Sequence, residues 1–444
     1  MPEETGVNAP AIAPFNAPYP TPCIALDLYI YIYINRLDVM ERAMKRAKIA
    51  PVRSEESLAL MEPMTVSEAN LARREIYELA FQLNRDANRL AGRLAPQVAA
   101  AIGDLVRSTN CYYSNLIEGH DTHPVEIERA LARDFSADPK KRDLQQEAIA
   151  HIKVQEWIDS GADVAIEGMA ALTAEIHRRF CETLPEDLLW LELPGGKKTK
   201  IEPGAWRKLD VQVGRHIPVS PAAIPRFMAR WEQAYALPPA RLLSELGSMH
   251  HRLVWIHPFA DGNGRASRLL THAILRRIGV GSPLWAVSRG LARNVERYKA
   301  LLQAADEPRR GDLDGRGSLS EAALVDFNRF FLEQALDQVS FMGDLIEVDR
   351  LLARILLHVR EEVALGSLDA SAEAIVRALF QSGALPRGEV EELLGTSPRT
   401  RTRILKALFD LKMIQAESHR APVRLLFSAR NAERWMPGLF PPKR

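Results

Sequence analysis

The chain has 444 residues, of which 47% are hydrophobic, 26% charged and 7% aromatic. These values are ordinary for a folded globular protein, and they exclude a disordered, collagen-like or disulfide-stapled chain. Lysine and arginine number 58 against 57 aspartates and glutamates, so the net charge of +1 gives no overall field that favours nucleic acid or a membrane surface.

The cysteines and the start of the chain indicate the compartment. Cys23, Cys111 and Cys181 are widely separated and show neither metal-ligand nor paired spacing. The first residues are acidic where a secretory signal is basic, and no apolar run approaches the ~20 residues that span a bilayer. We therefore expect a cytoplasmic protein with no membrane partner.

Residues 1–65 are predicted to be an N-terminal extension. Proline and alanine are frequent at its start and disfavour regular structure, whereas residues 28–34 alternate tyrosine with leucine or isoleucine, which is typical of a short strand. Residues 66–150 repeat apolar side chains at helical spacing. This second region is therefore predicted to be helical.

Residues 151–340 also show helical periodicity, with one exception. Within residues 204–218, Leu209, Val211 and Val213 alternate with polar residues between glycines and prolines, which predicts a short β-hairpin. A connecting helix is expected over residues 341–368, and residues 369–444 are predicted to be a small separate domain.

This C-terminal domain has the outline of a winged helix-turn-helix. A helix, a glycine turn and a second helix that starts near Pro398 precede two short apolar segments suited to a wing. Arg399, Arg401 and Arg403 lie at the start of the second helix, where such motifs contact DNA. Because the whole chain is almost neutral, contact with DNA, contact with protein and simple packing all stay open.

The residues with the richest chemistry lie in the segment 257–268. Gly262 and Gly264 permit a tight turn into a helix N-terminus, which is a natural anion site. Asp261 is suited to hold Mg²⁺ on a polyphosphate, and His257 is suited to accept a hydroxyl proton near neutral pH.

Two arginines complete this segment. Arg265 and Arg268 lie in the first turns of the helix, within reach of phosphate oxygens. Taken singly, each residue is compatible with a helix-capping turn that has exposed arginines and a structural histidine. Their combination favours a site that handles phosphate groups.

The segment meets every fixed position of the pattern H-x-F-x-[DE]-G-N-G-R-x-x-R, and it therefore resembles the active-site motif of the Fic family. The resemblance implies transfer of AMP from ATP to a Ser, Thr or Tyr hydroxyl of a target protein, with Mg²⁺. It makes His257 the base and Asp261 the Mg²⁺ ligand. The implied nucleotide-binding residues in the motif are Phe259, Gly262, Asn263, Gly264, Arg265 and Arg268, of which Arg268 holds the γ-phosphate.

A second motif precedes the first. Ser114 and Glu118 are one helical turn apart and Gly119 favours a helix end, so alone they predict only an exposed helix terminus. Beside the first motif they resemble the family's inhibitory signature, [ST]-x-x-x-E-[GN]. That resemblance implies a salt bridge from Glu118 to Arg268 that denies ATP its γ-phosphate partner. The same glutamate is also suited to orient a water that removes AMP from a modified protein, and the sequence leaves both roles open.

Two further assignments follow from the resemblance. The hairpin predicted over residues 204–218 is similar to the family's flap, which pairs main chain to main chain with the target, and Val211 and Val213 would face that target. Asn294 and Tyr298 would lie in the region that closes over adenine and ribose.

Together these features predict a mostly α-helical Fic-type core with a β-hairpin flap and a C-terminal winged-helix-like domain. The predicted function is protein adenylyl transfer, inhibited within the chain by Glu118. The alternatives are a phosphodiesterase that removes AMP through Glu118 and a DNA-binding regulator whose nucleotide site only senses ATP. The sequence leaves open a homo-oligomer, the target and the signal that relieves inhibition.

Overall fold

The computed structural model of the protein describes residues 56–193, 196, 198–395 and 397–440. The strand predicted over residues 28–34 lies outside the described residues, as does Cys23. One compact unit begins at Glu56.

The described residues are mostly helical, which confirms the predicted fold class. The α-helices, numbered in chain order, are α1 (Arg73–Ala91), α2 (Pro96–Ile117), α3 (Pro124–Leu131), α4 (Pro139–Asp159), α5 (Met169–Thr183), α6 (Ile224–Ala234), α7 (Pro239–Ser244), α8 (Leu246–Ile256), α9 (Asn263–Arg277), α10 (Ser288–Arg293), α11 (Val295–Ala305), α12 (Glu321–Leu345), α13 (Val348–Ala364), α14 (Ala372–Ser382), α15 (Arg387–Leu394), α16 (Pro398–Asp410) and α17 (Ala429–Trp435). The strands are β1 (Trp190–Glu192), β2 (Lys198–Lys200), β3 (Ile414–Gln415) and β4 (Arg424–Leu425). None of the described helices combines the length and apolarity that crossing a bilayer requires.

Helix α12 lies at the centre of the helical core. Ser320 caps its start, because the Ser320 Oγ accepts a hydrogen bond from the Ala323 N–H. The helix packs on α1 and α8, and Phe327, Phe330 and Phe331 are fully buried. Each such side chain stabilises the fold by about 1.5–3 kcal/mol through the apolar surface it removes from water. This core gives α8, which leads into the segment 257–268, a rigid support.

The hairpin predicted over residues 204–218 is wrong in its extent. Within this segment only Val213 and His216 pair, in a single antiparallel bridge. The regular hairpin in this region consists instead of β1 and β2. A side chain of the segment itself takes up one of its main-chain groups, because the buried Arg207 guanidinium donates to the Leu209 carbonyl at 2.8 Å.

The C-terminal elements follow the order that the sequence predicts. Helix α15 ends at Gly395, which has a left-handed φ of 56°. Ser397 caps α16 by accepting a hydrogen bond from the Thr400 N–H, and Pro398 occupies its first turn. Strands β3 and β4 then pair antiparallel.

Two of the three arginines predicted to contact DNA or protein are paired inside the chain. Arg401 lies 2.6 Å from a Glu391 carboxylate oxygen, and Arg403 lies 3.1 Å from Asp369. These carboxylates offset much of the positive charge at the start of α16. Neither pairing follows from the sequence pattern, because the partners lie on other segments.

Candidate functional site

The segment 257–268 consists of a loop, residues 257–262, that joins α8 to α9, and of the first turns of α9. His257 directly follows α8 and has a φ of 52°, a left-handed backbone that is uncommon for a residue with a side chain. Gly262, with a φ of 76°, precedes α9. The surrounding structure therefore holds the loop in a conformation that a free chain would rarely adopt.

Asn263 closes this loop. Its Oδ1 accepts a hydrogen bond from the Phe259 N–H at 2.9 Å, and its Nδ2 donates to the Phe259 carbonyl at 2.9 Å. Phe259 is buried, and its ring stacks on the His177 ring with 3.8 Å between centroids. Both side chains thus shape and anchor the loop, and their predicted contact with nucleotide stays a prediction.

A cavity of about 250 Å³ brings the two sequence motifs together. Its lining residues are Glu118, His120, Glu147, His257, Asp261, Gly262, Asn263, Gly264 and Arg265. The cavity lies at the N-terminus of α9, where the first N–H groups of a helix have no partner within it. An anion in this cavity would meet those N–H groups and the Arg265 guanidinium.

The histidine in this cavity is a neutral base. Burial lowers the pKa of His257 to about 4, and the nearby positive charge of Arg207 and the neighbouring His216 act in the same direction. The Nδ1 of His257 is buried and has no hydrogen-bond partner among the described residues.

Arg268 is held by Ser114 and Glu118. The guanidinium is almost completely buried, and its Nη2 lies 2.6 Å from the Glu118 Oε1. Its Nε also donates to the Ser114 Oγ at 2.9 Å and its Nη2 to the Ser114 carbonyl at 3.0 Å. The salt bridge implied by the resemblance is therefore present in the structure.

The position of Glu118 also depends on Gly264. Burial raises the pKa of Glu118, but the Arg268 charge and hydrogen bond outweigh burial, so the pKa lies below its ordinary value and the side chain is a carboxylate. Its Oε1 occupies the space where a side chain at position 264 would begin. Gly264 is thus required for Glu118 to reach Arg268. Gly119, with a φ of 90°, turns the chain away directly after this contact.

Glu147, which no sequence motif includes, holds Arg265. The Glu147 Oε2 accepts from the Arg265 Nη1 at 2.8 Å and lies 2.9 Å from the His120 Nδ1. Glu147 comes from α4 and is one of many charged residues on that helix, so no spacing singles it out. It ties the turn after Glu118 to the arginine of the first motif.

The contact between His120 and Glu147 predicts a pH-dependent stability. The hydrogen bond to Glu147 raises the pKa of His120 above its usual value. The stabilisation is therefore fully present below the unfolded pKa of about 6.5 and is lost as pH rises through the higher folded pKa. We expect the difference in thermal midpoint between the unsubstituted chain and His120→Gln to shrink between about pH 6 and about pH 8. A difference that stays constant over this range would contradict the ion pair.

Arg207, which no sequence pattern singles out either, fastens segment 204–218 to the loop at residues 257–262. Its N–H donates to the Pro258 carbonyl at 2.8 Å, and its Nε donates to the His257 carbonyl at 2.8 Å. Its Nη1 and Nη2 donate to the carbonyls of Leu209 and Val219. All four acceptors are main-chain oxygens, so a sequence pattern carries no signal for them.

Substitution of Arg207 is expected to destabilise the fold. Arg207→Gln removes charged donors from several buried carbonyls, and we expect the free energy of unfolding to fall by about 3 kcal/mol. Lys208→Gln is the matched control, because Lys208 pairs with Glu202 in an exposed ion pair, worth about 0–1 kcal/mol. Urea unfolding of both variants measures this, and equal losses would contradict the role of Arg207.

The predicted flap residues lie at the surface. Val213 is 42% exposed, whereas Val211 is half-buried. Apart from the bridge of Val213 to His216, the main chain of this segment has no strand partner among the described residues. An extended peptide therefore has main-chain groups available to it here.

Asn294 and Tyr298 do not line the cavity, which differs from the predicted adenine and ribose contacts. Tyr298 is buried, and its hydroxyl lies 2.9 Å from the His250 Nε2. The Asn294 Nδ2 donates to the Gln334 Oε1 at 2.9 Å. Tyr298 is thus used inside the core, whereas Asn294 is an exposed residue directly before α11 whose amide is held by Gln334.

Asp261 is the carboxylate of the cavity that is suited to Mg²⁺. Its side chain is 52% exposed and lies 3.4 Å from Arg265, whereas Glu118 and Glu147 are both engaged by arginines. The described residues contain no cluster of three or more His, Cys, Asp or Glu side chains that could hold a metal ion. A single half-exposed carboxylate fits Mg²⁺ that takes its other ligands from phosphates and water.

The chain is similar to curated proteins that share one name. The protein adenylyltransferase Fic of Drosophila grimshawi is 30% identical over 174 residues, which are 38% of this chain and 32% of the relative. The one from Culex quinquefasciatus is 30% identical over 206 residues, 44% of this chain and 36% of the relative. The chain thus matches about a third of the length of these curated relatives.

A solved Fic family protein from Desulfovibrio desulfuricans G20 covers 82% of this chain and 98% of its own, at 19% identity and a TM-score of 0.47. Residues 167–275 match the family described as the Fic/DOC family. The part of the chain that is similar to this family therefore contains the whole segment 257–268.

Proposed function

We propose that the protein is an adenylyltransferase that moves AMP from Mg²⁺-bound ATP to a Ser, Thr or Tyr hydroxyl of a target protein. The observation that carries the proposal is a neutral histidine, His257, in the same cavity as a helix N-terminus and Arg265. The curated relatives to which part of the chain is similar are named protein adenylyltransferases.

AMP transfer requires a base for the hydroxyl proton and groups that bind the phosphates. The hydroxyl oxygen of the target attacks the α-phosphorus of ATP while His257 takes its proton. The bond from the α-phosphorus to the oxygen that bridges to the β-phosphate breaks, and pyrophosphate leaves with the electron pair. Arg265 and the N–H groups at the start of α9 stabilise the negative charge on the phosphates.

Mg²⁺ would be held by Asp261, and it would neutralise charge on the phosphate oxygens. Arg265 pairs more closely with Glu147, at 2.8 Å, than with Asp261, at 3.4 Å, so Asp261 is the less tightly held of the two carboxylates. The half-exposed position of Asp261 also leaves room for water and for phosphate oxygens as further ligands.

Glu118 is proposed to inhibit this reaction. Its carboxylate occupies Arg268, the cation that would otherwise meet the γ-phosphate. ATP with its γ-phosphate in that place would bring negative charge against the Glu118 carboxylate. Productive binding therefore requires Glu118 to move away.

A second candidate function is removal of AMP from a modified protein. It is favoured by one observation, since Glu118 lines the same cavity as His257 and Asp261. An ionised Glu118 is able to orient a water and accept its proton. The regulator that binds DNA through α16 gains no such support, because Arg401 and Arg403 are paired internally.

Intact-mass spectrometry tests the proposal. The protein and its Glu118→Gly variant are incubated with ATP, Mg²⁺ and a cell extract. We expect proteins that gain the mass of one AMP group, together with release of pyrophosphate, more strongly with the variant. The second candidate would be favoured instead if the unsubstituted protein, but not Glu118→Gly, removed AMP groups from proteins that already carry them.

A further inference from the structure

The last described residues of the chain contact the helix that leads to Glu118. The Tyr113 hydroxyl on α2 donates to the Leu439 carbonyl at 3.1 Å. The Phe440 ring meets the Tyr112 ring edge to face, with 6.3 Å between centroids. Leu439, Tyr112 and Tyr113 are all buried, so this is a packed contact and not a surface encounter.

An arginine of the core fastens the same segment. The Arg289 Nη2 donates to the Gly438 carbonyl at 2.8 Å, and its guanidinium lies 3.6 Å from the centroid of the Phe341 ring. Arg289 is itself 5% exposed. Residues 438–440 are therefore held between α2 on one side and α10 and α12 on the other.

The C-terminal region also contacts the chain after Glu118. Helix α3 carries Glu128, whose carboxylate accepts hydrogen bonds from the N–H groups of Ala429 and Arg430 at the start of α17. A carboxylate is favourable at a helix N-terminus. The inhibitory glutamate thus lies between two elements that both dock on the C-terminal region.

Helix geometry links these contacts to the inhibitory salt bridge. Successive residues of an α-helix are about 100° apart, so Ser114 and Glu118 share one face while Tyr112 and Tyr113 point elsewhere. One face of α2 holds Arg268 and the other holds residues 438–440. Because a helix moves as a rigid element, a shift at Tyr113 is passed to Glu118.

We propose that residues 438–440 are a positioning element for Glu118: docked on α2, they keep Glu118 on Arg268, and their release frees Arg268 for the γ-phosphate. The proposal rests on the proposed function and adds the element that regulates it. The contact is incompletely filled, since a cavity of about 450 Å³ opens beside Phe440 and is also lined by Leu116 and Arg293. A protein that binds the C-terminal region would thereby control AMP transfer.

A double-mutant comparison tests this role. Phe440→Ala is measured alone and together with Glu118→Gly, by AMP transfer from labelled ATP. Alone, it is expected to raise transfer by about 10-fold, a typical coupling between two sites. In the Glu118→Gly background it is expected to change transfer by less than about twofold, because the carboxylate that residues 438–440 would position is absent.

Phe409→Ala is the matched control. Phe409 is a half-buried aromatic residue on α16, where it contacts Arg387. The control has the same substitution in the same region, and transfer is expected to stay unchanged.

Tyr113→Phe, which removes only the hydroxyl, should act like Phe440→Ala to a smaller extent. An equal effect of Phe440→Ala in both backgrounds, or none alone while Glu118→Gly is active, would overturn the proposal.

Amide hydrogen exchange provides a readout that does not depend on activity. Exchange over residues 110–120 is expected to become faster in Phe440→Ala and to stay unchanged in Phe409→Ala. Unchanged exchange in Phe440→Ala would overturn the docking role even if Glu118→Gly proves active. Absence of AMP transfer in Glu118→Gly would instead refute the proposed function, and the exchange result would still decide whether residues 438–440 hold α2.

Discussion

Glu118→Gly is expected to raise AMP transfer by about 100-fold, towards the upper end of ordinary coupling between two sites. The substitution removes the carboxylate that lies 2.6 Å from Arg268 and frees the guanidinium for the γ-phosphate. Initial rates of transfer to protein at a fixed ATP concentration measure the effect. The Ser114 contacts to Arg268 stay in place, so the arginine keeps its orientation.

Two controls separate release of Arg268 from loosening of the chain. Asp121→Gly introduces the same residue into the turn that follows, at an exposed side chain, and transfer is expected to stay unchanged. Glu118→Gln keeps the size of the side chain but removes its charge, and should give an intermediate rise. If Asp121→Gly raised AMP transfer as much as Glu118→Gly, the salt bridge between Glu118 and Arg268 would not be what inhibits transfer.

His257→Asn is expected to lower AMP transfer by about 10²–10⁴-fold in the Glu118→Gly background, the usual contribution of a general base. Asparagine is the substitution of choice because it tolerates the left-handed φ of 52° better than alanine. The loss should fall on the chemical step. We therefore expect ATP affinity, measured by calorimetry, to stay within about twofold of the parent variant.

The pH profile identifies the same base. Because the pKa of His257 lies at about 4, the neutral form that accepts protons is present above that pH and is lost below it. The rate of transfer should therefore be insensitive to this group above about pH 5 and fall as pH decreases through about 4. A rate that falls with decreasing pH from about 7 would indicate a different base or a more exposed histidine.

Features that depend on neighbouring residues were predictable from the sequence. The turn between α8 and α9 follows from Gly262, and the C-terminal order of helices and strands follows from local turn residues and apolar spacing. The pairing of Glu118 with Arg268 crosses 150 residues. It was expected only because both motifs resemble those of one family.

Features that depend on distant pairing were not predictable. Glu147 meets Arg265 from another helix, and Arg207 bonds only to main-chain oxygens, which every residue possesses. The contact of Tyr113 with Leu439 joins residues 326 positions apart. The predicted hairpin is too long because the alternating residues in 204–218 resemble a strand. In the structure the Leu209 carbonyl accepts a hydrogen bond from the Arg207 side chain and not from a strand partner.

The most direct test compares protein labelling from ATP that carries its label on the α-phosphate or on the γ-phosphate. The variants are the unsubstituted chain, Glu118→Gly, and Glu118→Gly combined with His257→Asn, each with Mg²⁺ and a cell extract. We expect label from the α-phosphate alone, strongest in Glu118→Gly and lost in the double variant. Label from the γ-phosphate, or no α-phosphate label in any variant, would contradict AMP transfer as the activity of this site.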